Sequence, residues 1–294
     1  MPNTTQARIE NSVVLPRPTL MLFDWHGTLV DTHGAMYQAI EEMLAQLDEL
    51  DLVRHLLPEE EAKTEDDEKL IRYIRIYRHL HPRVLAEQRI SRTDVFDAIF
   101  GDNDVANRIA HKAYNDCYRH HYGEVKPFQT GMFDYLCYLK KLGIKIGVVT
   151  NRSREFLDPE LAQVEGGRWN DLFDVTLCGD EMLRYKPAPD SLVQASKQLN
   201  LLTDQHLWYV GDSVTDMMTA TKAGVTRVFY NGALWAPHWF EQVFADHAHH
   251  HYDPDIIIDD FDELLDLVIT SKGADITPDL LTKRPDRLPP RQPK

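Results

Sequence analysis

Asp24 ends a short apolar run, Leu20 to Phe23, and the backbone turns directly after it at Gly27-Thr28. In an open α/β sheet, ligands sit outside the carboxyl ends of the strands, so a carboxylate at that edge faces a ligand. Gly27 permits the sharp turn beside it. Asp is also a good cap for a following helix, and this stretch alone leaves both roles open. The pattern recurs downstream. Ile144 to Val149 ends in Thr150-Asn151, and Leu207 to Val210 ends in Gly211-Asp212, with Asp216 in the same Gly-Asp-Ser-Val-Thr-Asp segment. Lys186 stands in a loop, Tyr-Lys-Pro-Ala-Pro-Asp. Read singly, Lys186 is a surface lysine before a proline turn and Asp212 a helix cap. Read together, these residues line up as one site.

Such residues need buried strands behind them. Leu20 to Phe23 is apolar throughout, as expected of a strand covered on both faces. From Gly131 strand and helix alternate: a helix over 131–142, a strand over 144–149, another helix, a strand over 173–178 and a helix over 189–199. A strand over 207–210, a helix over 214–223 and a strand over 226–230 follow, and a strand over 256–258 and a helix over 261–269 complete the pattern. That alternation predicts an α/β fold with a parallel sheet and helices on both faces. Residues 33–127 read as all-helical, with no strand. Ala35, Ala39, Met43 and Leu47 recur at helical spacing, and further helices are expected near 70–78, 83–100 and 104–122. An acidic run from Pro58 to Glu68 holds seven Asp or Glu residues and reads as a solvated linker with a first helical turn suited to negative charge. Arg72, Arg75 and Arg78 read as an exposed basic face rather than a seat for an anionic substrate. Residues 1–18 are expected to be a flexible leader. Residues 271–294, with five prolines, are expected to be disordered or an extended surface strap. His247, His249, His250 and His251 fit a polar loop better than a metal site, because no carboxylate or cysteine framework surrounds them.

Composition narrows the function. The 294 residues allow one large or two modest domains, and 43% hydrophobic residues are ample for a packed core. A net charge of −15 makes the chain a poor candidate for binding nucleic acid. Cys117, Cys137 and Cys178 are scattered, odd in number and without metal spacing, as suits a reducing compartment. The first 18 residues lack the basic start and apolar centre expected of a signal peptide, and no apolar stretch approaches membrane-spanning length. A cytoplasmic location, with no membrane or nucleic-acid partner, is the expectation, and oligomeric state is open.

The motifs and their order resemble those of the haloacid dehalogenase superfamily, in its phosphoglycolate phosphatase-like branch. Phe-Asp-Trp-His-Gly-Thr-Leu-Val-Asp-Thr resembles its first motif, Val-Val-Thr-Asn its second, Tyr-Lys-Pro-Ala-Pro-Asp its third and Val-Gly-Asp-Ser-Val-Thr-Asp-Met its fourth. The resemblance implies a Rossmann-like doubly wound core over 19–32 and 128–270, with a helical cap at 33–127 that closes over small substrates. It implies a Mg2+-dependent phosphohydrolase acting on a small phosphorylated metabolite. Phosphoryl transfer needs a nucleophile, positive charge against the phosphoryl oxygens, and a metal. Asp24 would be the nucleophile, forming an aspartyl-phosphate. Asp24, Asp212 and the His26 backbone carbonyl would hold Mg2+, with Asp216 as a further carboxylate of that site. Lys186 would supply positive charge, and the Thr150 hydroxyl and Asn151 backbone N–H would bind the phosphoryl group.

His26 departs from the pattern, which usually carries a second aspartate there as general acid and base. Two readings of His26 stay open: imidazole takes that role near neutral pH, or the residue serves only through its carbonyl and its packing. Two alternatives follow. One is a phosphonatase-like enzyme, for which Lys63 and Lys69 would have to supply a Schiff-base amine. Both lie among acids, which raise a lysine pKa rather than lower it. The other is a non-catalytic phosphate-binding homologue, against which the intact Asp24, Asp212 and Asp216 argue.

Overall fold

The computed structural model describes residues 15–87, 92–234, 240, 244, 252–273 and 276–287. The histidine cluster at 247–251 lies outside the described residues. Two compact units form: one holds the chain up to Val30 and from Pro127 onward, the other is Asp31–Lys126. In chain order, β1 is Leu20–Phe23 and β2 is Val30–Asp31. The second unit follows, with α1 His33–Ala45, α2 Glu65–Tyr77, α3 Pro82–Glu87, α4 Arg92–Phe100 and α5 Asp104–Tyr118. The chain returns through β3, Lys126–Pro127, to α6 Met132–Lys141, β4 Lys145–Val149, α7 Arg154–Gln163, β5 Val175–Leu177 and α8 Asp190–Gln198. It ends with β6 Leu207–Gly211, α9 Val214–Ala223, β7 Thr226–Tyr230, β8 Ile256–Ile258, α10 Phe261–Thr270 and α11 Pro278–Leu281.

The main sheet has strand order β5-β4-β1-β6-β7-β8, with the neighbouring strands parallel. The chain winds outward from β1 to β5, then returns to the other side of β1 with β6. That reversal places a topological switch point between β1 and β6, where open α/β sheets bind ligands. All residues of β1 and β6 are buried, which explains their unbroken apolar character. Phe23 pairs with Val148 on one side and Val210 on the other. Asp24, Thr150 and Asp212 therefore leave the same sheet edge.

The second unit is built on α1 packed against α5. Ala35, Ala39, Ile40, Met43 and Leu44 of α1 are buried, as are Ala110, Tyr114 and Cys117 of α5. The acidic run supplies the first turn of α2, where negative charge suits the helix dipole, and Thr64 caps that turn by accepting from the Asp67 N–H at 3.1 Å. The arginines of α2 and its C-cap, Arg78, do not form an open basic face. Arg72 pairs with Glu59 and Glu68, Arg75 donates to the Leu56 and Leu57 carbonyls, and Arg78 pairs with Asp48. Acids and carbonyls of the preceding loop, with Glu68 of α2 itself, absorb the row.

Other parts of the chain refine the expectations. Lys126–Pro127 is a strand, paired with β2, and two residues are too few to show any period in a sequence. Of the two readings of the tail, residues 276–287 take the strap: the Tyr138 hydroxyl donates to the Leu280 carbonyl at 2.8 Å, and Arg284 pairs with Asp262 and Asp266. Residues 15–18 are also held. The Lys272 N–H donates to the Leu15 carbonyl at 2.9 Å, and the Trp208 indole to the Pro16 carbonyl at 3.2 Å. All three cysteines are free thiols. Among the described residues no helix is long and apolar enough to cross a membrane.

Candidate active site

Lys186 is the centre of the site. Its side chain is 5% exposed, and its ammonium lies 2.8 Å from Asp24 Oδ1, 2.7 Å from Asp216 Oδ1 and 2.9 Å from the Tyr209 hydroxyl. Asn151 holds the lysine's backbone: its Oδ1 accepts from the Lys186 N–H at 2.8 Å, and its Nδ2 donates to the Lys186 carbonyl at 3.1 Å. Burial works against the ammonium, but Asp216 and Asp24 outweigh it and hold the lysine above its ordinary pKa.

Asp216 is committed to this arrangement. Its Oδ1 takes Lys186 and the Tyr209 hydroxyl, and its Oδ2 takes the Ser213 hydroxyl at 2.6 Å and the Ser213 N–H at 3.2 Å. The last contact is half of a capping box that starts α9, whose cap is Ser213 rather than Asp212. Asp212 instead accepts from the Thr28 hydroxyl at 2.9 Å. Asp24 does not cap the next helix either, since the N-cap of α1 is Thr32. Gly27, at φ 77°, clears the space: a Cβ there would fall 2.2 Å from Asp212 Oδ2. Gly211 does the same for Asp216, where an added Cβ would lie 2.5 Å from the aspartate Cβ.

Three carboxylates thus face one ammonium, and their ligand oxygens lie within 4.8 Å of one another. Burial pushes the Asp24 carboxyl up to about 6, with Lys186 opposing and Asp216 adding to the rise. Burial, Asp24 and Asp216 drive Asp212 well above the carboxylate range. Such a set is short of positive charge, and the residues fit a hard dication that takes oxygen ligands.

Thr150 is buried, and its hydroxyl oxygen accepts from the Arg152 N–H at 3.1 Å, leaving its proton to donate elsewhere. His26 lies on the turn after β1, its Nε2 3.4 Å from Oε2 of the fully buried Glu160. Tyr209, Thr28 and Glu160 escape a reading of the sequence. Tyr209 sits in an apolar strand and looks like core, while Thr28 looks like a turn residue. Glu160 leaves one trace: it shares with Phe156, Leu157 and Leu161 the buried face of α7. Lys69, considered above as a Schiff-base amine, is 57% exposed and 2.9 Å from Glu65, which holds its pKa up.

Comparison with known proteins places the chain in a family. The phosphoglycolate phosphatase of Salmonella choleraesuis is 27% identical over 251 residues, covering 83% of this chain and 89% of that one. Phosphoglycolate phosphatase 1 of Pseudomonas aeruginosa is 29% identical over 71% of this chain and 67% of its own. The crystal structure of a haloacid dehalogenase-like hydrolase from Bacteroides fragilis shares the fold, with a TM-score of 0.58 at 22% identity over 84% of this chain and all of that one. The family model described as haloacid dehalogenase-like hydrolase matches residues 21–230, from β1 through β7 and so across every residue of the Lys186 cluster. On that match the chain belongs to the haloacid dehalogenase-like hydrolases.

Proposed function

We propose that this phosphatase releases phosphate from a small phosphorylated metabolite through an aspartyl-phosphate on Asp24. The Asp24 carboxylate attacks phosphorus, the bond from phosphorus to the leaving oxygen breaks, and that oxygen takes a proton from His26. Water then attacks the phosphorus of the aspartyl-phosphate, His26 takes up the water's proton, and Asp24 is freed as inorganic phosphate forms. Lys186 supports both steps by neutralising Asp24 and meeting the phosphoryl oxygens. The Thr150 hydroxyl and the Asn151 backbone N–H donate to those oxygens. Asp24, Asp212 and the His26 carbonyl would hold Mg2+, with Asp216 orienting Lys186 beside it. When bound, the dication adds the positive charge that one lysine cannot supply against three carboxylates and a phosphate.

The observation that carries the reading is the Lys186 ammonium held between Asp24 and Asp216 at 2.8 and 2.7 Å. The carbon–phosphorus alternative needs a neutral amine, and Lys69 is held charged by Glu65. The reading is consistent with a cytoplasmic enzyme. Its test is phosphate release from p-nitrophenyl phosphate and from a panel of phosphorylated metabolites headed by phosphoglycolate, with and without Mg2+. Asp24→Asn is expected to lose more than ~10³ in rate on every substrate, and EDTA to remove activity reversibly. Full turnover by Asp24→Asn, under conditions that prevent deamidation, would overturn the nucleophile.

A further inference from the structure

Glu160 is a buried carboxylate that the reaction above does not use. It lies on the inward face of α7, at a position where burial alone would favour an apolar side chain. Replacing a buried ion pair by apolar residues is often neutral or stabilising, so stability is a weak reason for it to be there. Its partners give a better one. Oε1 accepts from Arg152 at 3.0 Å; Oε2 accepts from the Trp25 indole at 2.6 Å and lies 3.4 Å from His26 Nε2. Both of the firm partners are themselves anchored. Trp25 packs edge-on to Trp169 and Phe173 at 5.9 and 6.3 Å, and the Arg152 guanidinium lies 4.6 Å over the Phe156 ring. The carboxylate therefore has a fixed direction. His26, its side chain 28% exposed, brings Nε2 toward that carboxylate.

We propose that Glu160 is the positioning residue for His26, resting on the acid–base role given to that histidine above. By drawing the Nε2–H, the carboxylate sets the plane of the ring and its tautomer. Nδ1 is then the nitrogen that meets the leaving oxygen and, later, the attacking water. A separation of 3.4 Å exceeds a formed hydrogen bond. Contacts of this kind are often long without substrate and tighten in the complex. A base held by a third group is the general logic of oriented proton transfer.

The test compares two substrates: an alkyl phosphate, whose leaving group needs a proton, and p-nitrophenyl phosphate, whose leaving group needs little. His26→Ala should lose ~10²–10⁴ in kcat on the alkyl phosphate and far less on the aryl one. Glu160→Gln keeps the shape but not the charge, and should lose ~10–10² on the alkyl phosphate with the aryl rate nearly kept. Tyr138→Phe, which loosens the C-terminal strap, should leave the ratio of the two rates unchanged, excluding general destabilisation as the cause. Selective loss in His26→Ala with none in Glu160→Gln overturns the positioning role and leaves the histidine's role standing. Unselective loss in His26→Ala overturns both, while Asp24→Asn reports separately on the phosphatase reading. A measurement on the unmodified enzyme guards against a Glu160 variant that fails to fold. The nitrogen NMR shifts of the His26 ring should show the proton of the neutral ring on Nε2, and a proton on Nδ1 overturns the proposal.

Discussion

Lys186 meets Asp24, Asp216 and Tyr209 within 2.9 Å, and each contact has a different weight. Lys186→Met would leave two carboxylates facing each other without a cation. Breaking a buried pair by removing one partner costs about 3–5 kcal/mol, so the variant is expected to unfold at clearly lower denaturant. Its turnover should fall ~10²–10³ even where it is folded, because the charge that meets the phosphoryl group is gone. Tyr209→Phe removes only one of four donors to Asp216. It should lower stability by about 1–3 kcal/mol and turnover far less than Lys186→Met does. Equal rate losses in the two variants would mean that Tyr209 acts on substrate rather than on Asp216.

The elements place these groups through their ends, and that is why the site was so legible. Asp24, Thr150 and Asp212 each follow an apolar run, and Lys186 is marked by the prolines behind it. Tyr209 and Glu160 carry no such punctuation. A tyrosine in a buried strand reads as core, and a glutamate in a helix reads as solvent-facing until the period of α7 is laid out. The tail left two readings open for another reason: its composition is that of a disordered segment, and its anchors are tyrosines of α6 and carboxylates of α10, the former far away in the sequence. Gly27 shows how little room the first turn has. Gly27→Ala would place a methyl 2.2 Å from Asp212 Oδ2 at a positive φ, so either the turn or the carboxylate must move. Activity is expected to drop by at least ~10²-fold, with a weakened response to Mg2+, while far-ultraviolet circular dichroism stays that of the wild type. An active Gly27→Ala enzyme with an ordinary metal response would show that Asp212 has freedom the structure denies it.

On the scale of the whole molecule, two features of the first unit bear on stability. Removing the chain from residue 274 would free the Tyr138 hydroxyl and break the Arg284 pairs with Asp262 and Asp266. A loss of roughly 2–4 kcal/mol is expected, with kcat retained, because the described residues of the strap bond to α6 and α10. The carboxylates act in the other sense. Burial pushes Asp24 up to about 6 in the fold against an ordinary 3.8, and Asp212 is also held well above that value. The folded, metal-free protein therefore holds protons that the unfolded chain has already released. Its stability falls as pH rises from about 3.8 through about 6 and beyond, as carboxylates held close together become charged. A dication that binds the deprotonated carboxylates competes with those protons and restores what was lost. Thermal unfolding should show a small Mg2+-induced rise in Tm near pH 5 and a large one near pH 8. The Asp24→Asn, Asp212→Asn double variant should flatten both the pH dependence of the metal-free protein and its response to Mg2+. If the double variant keeps the wild-type response, or if wild type responds equally at both pH values, the cation is held elsewhere on this acidic chain.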